Sequence, residues 1–513
     1  MFVNCNIAQK TPSVFDEING GNAVERTVRV MDRTSVIFGN KMPQSVIRKA
    51  EKSKRDFIKK FGDDSSREYR FTVKENAVIG KSLGVKELCL GSEGELSLPE
   101  NAVIIGNIRM GFGHYRISMA MASAAKKLGY APYWLDLCSL EGTTCSKIIA
   151  HQNELYSLGS RLSQKSRVFN KVVWEPVNYD MFKQLSYNAV DQKNAELMAN
   201  ALKSLPKDVP FIATHVWPAQ AAVHAGFKNV VNAIPDNWPM ALHYAERSIH
   251  TVQTPSAYLG YKALREMAKR RLKPMPDGTL FDVGHYVDDE LTANIDSDNA
   301  ARIKRIREGK ARRYLLTVGG AGAQVDIFAR IIARLLPKIR KNKAALFINV
   351  GDHKNVWEQL KEKLPKLSAA NEHFNDFAEI ERFCADAIEG EVTGIHAFCN
   401  DDIFAAVYST NLLMRATDVL ITKPSELSFY PVPKLMIKRV GGHERWGAIR
   451  AAEVGDGTYE CDTLPQIYTM LDLLQNNDEA LMNMIENIGK NNKAGLYDGA
   501  YKVVQLATGN YNK

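Results

Sequence analysis

Along most of the chain, short continuous apolar runs alternate with stretches in which apolar positions recur every three or four residues, the pattern of strands followed by helices. The stretch NAVIIGNIRMGFGHYRISMAMASAAKKL, from Asn101 to Leu128, shows this once in full. Ala102 to Ile108 is apolar with Val103, Ile104 and Ile105 adjacent, which predicts a strand buried on both faces of a parallel sheet. From Arg116 the period lengthens, and Ile117, Ala120, Met121, Ala124 and Leu128 fall on one helical face. Gly111, Gly113 and His114 lie between. A strand, a glycine turn and a helix in this order bring backbone N–H groups and the positive helix end to the strand's carboxyl edge, where anions bind. The glycines alone do not decide the matter: such a turn uses glycine for backbone geometry as readily, and a histidine there serves equally as a helix cap.

The alternation continues. Ala131 to Leu137, Phe211 to Thr214, Val230 to Ile234 and Ser248 to Gln253 read as strands, with a long, mostly helical excursion from Thr143 to Leu205. His215 follows one of these strands, and Pro235 and Asp236 follow another, positions that line the crevice of a doubly wound sheet. A charged segment, Asn299 to Arg313, reads as a linker or as the first helix after a boundary. Then the opening device recurs, about 210 residues on: strand Tyr314 to Val318, the turn Gly319, Gly320, Ala321, Gly322, Ala323, and a helix from Val325 to about Ile339. Ala345 to Val350, Gly394 to Phe398, Asp418 to Thr422 and Lys434 to Ile437 read as later strands, and residues 465–513 as helices. The expectation is an α/β protein of two Rossmann-like domains, 96–298 and 299–480, facing across a cleft, with an N-terminal extension over 1–95 and a C-terminal helical segment over 481–513.

The first 95 residues carry no motif. They hold two strand-like pieces, Thr27 to Met31 and Ser35 to Phe38, and a predicted helix from Pro43 to Phe61. On that helix Ile47, Ala50, Phe57, Ile58 and Phe61 share a face, and Arg48, Lys49, Lys52, Lys54, Arg55, Lys59 and Lys60 occupy the rest. Such a helix suits an anionic bilayer, or simply a protein surface with a solvated charged face. The net charge of +9, from 67 basic and 58 acidic side chains, is too small an excess for this length to imply nucleic acid, and it fits phosphorylated ligands or an anionic membrane surface. Seven scattered cysteines without a CxxC pair or zinc-ligand spacing suit a reducing compartment. The N-terminus lacks a basic segment followed by an apolar core, and no run approaches a membrane span. A cytoplasmic protein, peripheral on the membrane at most, is expected.

The order GFGHYR, THVWPAQAA, IPDNWP, LLTVGGAGAQ, ITKPSEL, PVPKLMI and GGHERWGA resembles glycosyltransferases of the B fold, in particular family 28, with its diacylglycerol galactosyl- and glucosyltransferases and the N-acetylglucosaminyltransferase of the peptidoglycan lipid precursor. The resemblance runs over roughly residues 100–460. It implies that Gly111, Gly113 and His114 lie beside the donor sugar, with His114 a catalytic base or acceptor-positioning residue, a task that suits imidazole near neutral pH. It places Asp236 opposite, to orient His114 or take the proton itself; the alternative is an Asx turn. Glu426, seven residues before Pro433, matches the family's ribose-binding glutamate, although it also suits a helix cap after Pro424 and Ser425. Gly319, Gly320 and Gly322 would admit the diphosphate, and His443 and Glu444 stand where relatives read the sugar's hydroxyls.

Two departures stand out. Relatives carry a longer glycine-containing loop before the glutamate, whereas here Thr422 leads through Lys423, Pro424 and Ser425 directly to Glu426, and Gly447 replaces a frequent Asn. Diphosphate binding then rests on the Gly319 turn, Lys423 and Arg445. The reaction implied is transfer of a sugar from a nucleotide donor, with UDP as the expected nucleotide, to an acceptor hydroxyl. It is an in-line displacement with inversion, needing no metal or other cofactor. A lipid acceptor at an anionic membrane is expected from the excursion after Thr143, which mixes Leu155, Tyr156, Leu158, Leu162, Phe169 and Trp174 with Arg161, Lys165, Arg167 and Lys171. A nucleotide-sugar epimerase and a non-catalytic nucleotide-sugar-binding protein are the alternatives.

Overall fold

A computed structural model describes residues 33–91, 96–165, 180–320 and 322–511. Besides a small hairpin, β1 (Val36–Ile37) and β2 (Asn40–Lys41), the strands form two sheets. The first comprises β3 (Phe71–Glu75), β4 (Lys86–Leu90), β5 (Ala102–Asn107), β6 (Ala131–Asp136), β7 (Phe211–Ala213), β8 (Val230–Ala233), β9 (Ile249–Val252) and β10 (Leu280–Asp282), in the order β10-β9-β8-β7-β5-β6-β4-β3. Its pairs are parallel except β3 against β4. The second comprises β11 (Arg312–Thr317), β12 (Ala344–Asn349), β13 (Asn371–Phe374), β14 (Gly394–Cys399), β15 (Val419–Thr422) and β16 (Lys434–Met436), all parallel, in the order β13-β14-β12-β11-β15-β16. Every residue of β5, β11 and β12 is buried, as in strands of a parallel sheet covered on both faces. In each sheet the opening strand has later strands on both sides, so each glycine turn emerges at a topological switch point. These are the two Rossmann-like α/β domains that the chain's repeated device predicts.

The described helices include α1 (Gln44–Phe61), α2 (Gly113–Lys127), α3 (Thr144–Lys165), α4 (Leu185–Ala195), α5 (Val325–Ile339), α6 (Ile403–Arg415) and α7 (Gly499–Ala507). The second domain's opening helix, α5, begins and ends where its apolar periodicity does. No described helix is long and apolar enough to cross a membrane.

Two expectations need correction, and a third is resolved between its alternatives. The segment 1–95 is not a separate extension throughout, because β3 and β4 complete the edge of the first sheet and α1 packs against α4. On α1, Phe57, Ile58 and Phe61 pack on the first domain's core, while Lys54 pairs with Glu196 at 2.6 Å and Glu51 with Lys193 at 3.0 Å. The apolar face that would have met a bilayer is therefore covered by protein. The strand expected at Thr27 to Met31 lies outside the described residues.

Of the two readings of the charged segment Asn299 to Arg313, linker or first helix after a boundary, the structure shows the helix. Asn299 to Arg307 lie in a helix, Ile295–Arg307, that leads through a short turn into β11, and Arg302 and Arg305 turn inward. Arg302 donates to the carbonyls of Thr417 and Met414 at 2.8 Å, and Arg305 pairs with the buried Asp418 at 2.8 Å. Guanidinium groups are tolerated inside when their donors find acceptors.

Finally, the C-terminal segment is shared between the domains. Its first helix, Asp478–Lys493, stays with the second domain, but α7 returns to the first and packs on α2, β7 and β8. Val503, Val504 and Leu506 there share one core with Ile117 and Val231 of the first domain and Phe404, Val407 and Tyr408 of α6 in the second. The seam between the domains is thus part of the hydrophobic core on one side and a cleft on the other.

Candidate active site

The cleft is a cavity of about 1680 Å³ bordered by both glycine turns. Of the residues singled out by sequence, Gly111, Gly113, His114, Asp236, Gly319, Gly320, Lys423, Ser425, Glu426 and Glu444 all line it. Gly322 instead packs on His353 and Val356 with φ +61°, a left-handed conformation that glycine adopts without strain. The side chain of His443 lies outside the described residues.

On the first domain's side, α2 begins at Gly113, close after the left-handed Gly111. His114 thereby stands in its first turn with Nδ1 2.7 Å from the carbonyl oxygen of Thr214, just past β7. A carbonyl only accepts, so Nδ1 carries the hydrogen and Nε2 keeps its lone pair. Burial pushes the imidazole's pKa down, partly opposed by that carbonyl and by the fields of Asp236 and Glu426, so the ring is neutral near pH 7. The ring of His215 meets it edge-on at 4.8 Å. Asp236 is 3.0 Å from Nε2 of His243, which also lines the cavity. The hydrogen bond that orients His114 thus comes from Thr214, and Asp236 acts on it through its charge.

On the second domain's side, Lys423 and Glu426 follow β15. Ser425 caps the short turn that starts at Glu426, its Oγ accepting from Leu427 N–H and its own N–H donating to Ser428 Oγ. Gly447 is explained by the same corner, because a Cβ there would lie 2.8 Å from Ser428 Oγ. Glu426 reaches across the seam: its Oε1 lies 3.4 Å from Arg116 Nε, and its Oε2 would be 3.2 Å from a Cβ at Gly113. The carboxylate therefore sits by the positive end of α2. Lys423 pairs with Glu444. Burial works against the ammonium, but Glu444, Glu426 and Asp236 outweigh it and hold its pKa above the ordinary lysine value, so the cleft contains a fixed cation. Glu444 is also tied into its own loop, accepting from the N–H groups of Val440 at 2.8 Å and Gly441 at 3.1 Å.

The two glycine turns touch. A Cβ on Gly320 would lie 2.7 Å from Gly111 Cα and 2.8 Å from Phe112 N, so the backbones approach as only glycine permits. Across the same seam Arg109 pairs with Asp352 at 2.8 Å, and Trp238 stacks on Trp446 with centroids 5.4 Å apart.

Arg116 is a residue of the cleft that sequence reasoning passed over. Only 2% exposed, it donates to the Val407 carbonyl at 3.1 Å, to Asn411 and to Glu426, all from the second domain. A basic residue in a helix's first turn opposes the helix dipole, and that mismatch was the available signal that Arg116 answers to partners elsewhere.

Both halves of the chain match family models. Residues 36–263 match a domain of unknown function, DUF6937, and residues 275–508 match another, DUF6938. The division falls before β10, the last strand to join the first sheet. No curated protein matches the chain. Among solved structures, the chain is similar to the UDP-GlcNAc 2-epimerase of Neisseria meningitidis bound to UDP-GlcNAc, at 14% identity over 80% of this chain and 100% of that one, with a TM-score of 0.42. It is also similar to an α,α-trehalose 6-phosphate synthase from Burkholderia multivorans, at 12% identity over 80% and 98% with a TM-score of 0.41, and to a glycosyltransferase from Rickettsia africae, at 12% over 80% and 98% with a TM-score of 0.37. Likeness at this level says nothing about chemistry, which rests on the chain's own residues.

Proposed function

We propose that the protein is a glycosyltransferase that moves a sugar from a nucleotide donor, expected to be a UDP-sugar, to an acceptor hydroxyl. The observation that carries this reading is the continuous cavity joining His114 and Asp236 of one domain to Lys423 and Glu426 of the other. At about 1680 Å³ it exceeds the roughly 300–1,000 Å³ usual for one small ligand, which favours two substrates over the single one of an epimerase.

In this reading Glu426 accepts from the ribose hydroxyls, since one long contact to Arg116 leaves lone pairs on the carboxylate. Lys423 and the N–H groups of the glycine turns neutralise the departing diphosphate. Nε2 of His114 removes the acceptor's proton as its oxygen attacks the anomeric carbon, and the imidazolium formed is stabilised by the nearby charges of Asp236 and Glu426. Displacement from the face opposite the diphosphate gives inversion. Because Glu444 is committed to its loop and to Lys423, recognition of the sugar's hydroxyls falls less on it than the resemblance implies.

A lipid-borne acceptor is part of the proposal. Leu155 borders the cavity, and Leu158, on the next turn of α3, is exposed with it. The side chains of Tyr156, Arg161, Leu162 and Lys165, and the residues Arg167, Phe169, Lys171 and Trp174, lie outside the described residues. Incubation with radiolabelled UDP-sugars and a membrane extract tests the reading. A labelled lipid or glycoside supports transfer, an isomerised nucleotide sugar would replace it with epimerisation, and binding without turnover would leave a sensor.

A further inference from the structure

Part of the cavity's lining, a lobe of the first domain on α1 and α4, is left unused by the proposed chemistry. It includes Asp191 and Asn194, three residues apart and hence on one face of α4. Both Asp191 oxygens lie 3.2 Å from the single N–H of the Trp217 indole, and the Gln220 side chain adds a further contact, which still leaves lone pairs of the carboxylate open. Asn194, 7% exposed, donates to Ser53 Oγ at 3.0 Å, yet its Oδ1 is buried without a partner among the described residues. Buried carbonyl oxygens rarely go unmet, and this one belongs to a residue that borders the lobe. Phe57 of α1 and Val190 of α4 form its walls. Two ring contacts lead from it to the base: Trp217 on His215 at 4.6 Å, and His215 on His114 at 4.8 Å.

We infer that this lobe is the acceptor subsite and that it takes an uncharged, hydroxyl-rich group, a sugar or polyol, whose hydroxyls are accepted by Asp191 and Asn194. The inference rests on the transferase reading, because an epimerase has no second substrate to seat. A carboxylate with open lone pairs beside an unmet amide oxygen matches adjacent hydroxyls, which donate without bringing charge. The burial that pushes the pKa of Asp191 up to about 7 penalises any charge brought into the lobe, which suits a neutral guest. The arrangement also gives α1 a role, since Ser53 holds Asn194 and Phe57 closes the wall.

Saturation-transfer NMR on the full chain tests this, with methyl glucoside and myo-inositol as probes and glucose 6-phosphate as the anionic control. Transfer to at least one uncharged probe is expected, weakened about tenfold in Asp191→Asn and abolished in Val190→Trp, which fills the lobe from its wall. No transfer to either uncharged probe in the wild type, a stronger signal from glucose 6-phosphate, or an undiminished signal in Val190→Trp would overturn it. Should Asp191→Asn fail to fold, Val190→Trp decides alone, since Val190 is only half-buried. Displacement of the probe by phosphatidylcholine vesicles carrying glucosyl-diacylglycerol identifies a lipid-borne polyol, and lack of displacement a free one. UDP-sugar binding, followed by thermal shift, keeps the two readings apart. Donor binding without polyol binding sinks the subsite alone, and polyol binding without donor binding sinks the transferase.

Discussion

His114 is suited to act as a base because its other nitrogen is already occupied. With Nδ1–H held by the Thr214 carbonyl, Nε2 is the atom left to accept a proton. Replacing it by alanine should lower turnover by about 10²–10⁴-fold while leaving the dissociation constant of a UDP-sugar nearly unchanged, as single-turnover rates and calorimetry would show. An unaltered rate would remove it from the mechanism. The pH profile carries the same signature. The neutral ring is the active form and its pKa is lowered in the folded protein, so activity should persist below the ordinary imidazole value of 6.5 before falling on the acid side. An acid limb displaced above that value would contradict the assignment. Glu426→Gln should weaken nucleotide binding by about tenfold or more, the loss of charge-assisted hydrogen bonds to the ribose, measurable by titration with UDP. That His114, Asp236 and Glu426 would border one cleft was legible in sequence, because each follows a strand within a recognisable motif. The partners of Arg116 were not, since they sit on α6 and in the turn after β15, 291 to 310 residues away.

At the scale of elements, the two glycine turns were legible as a repeated device, but not the fact that they meet. Periodicity reports which face of a helix is buried and says nothing about which turn of a distant domain arrives against it. Gly320 illustrates the difference: read from sequence it admits a diphosphate, and in the folded chain it admits the backbone of Gly111 and Phe112. Gly320→Ala should therefore destabilise the protein by about 1–3 kcal/mol, since its neighbours there are backbone atoms that cannot swing aside. Denaturant unfolding would register this, and a stability equal to wild type would mean the turns are farther apart than described. The helix α1 was found from its period; its basic face fitted a membrane or a solvated protein surface, and its apolar face is taken by α4 and the core beneath. Charge composition could not separate these outcomes, because a solvated face looks the same in both.

Across the whole molecule, two domains divided by a cleft also share a core: α7 and α6 from beyond the second sheet's opening strand pack with α2 of the first domain. That core, with the buried Arg116 crossing the seam, couples the domains, so calorimetric unfolding should follow one cooperative transition. Two well-separated transitions would show that the seam contributes little. The two-domain plan was legible from the order of strands, helices and glycine turns; the return of α7 was not, because its short apolar face fits either domain equally well. The central claim is that a nucleotide sugar lies between the halves, and a crystal structure of the full chain soaked with a UDP-sugar tests it most directly. Density for the nucleotide against Glu426 and Lys423, with the sugar directed at His114, is the expected result. A nucleotide bound outside the cleft, or held within it with its sugar turned away from His114, would contradict it.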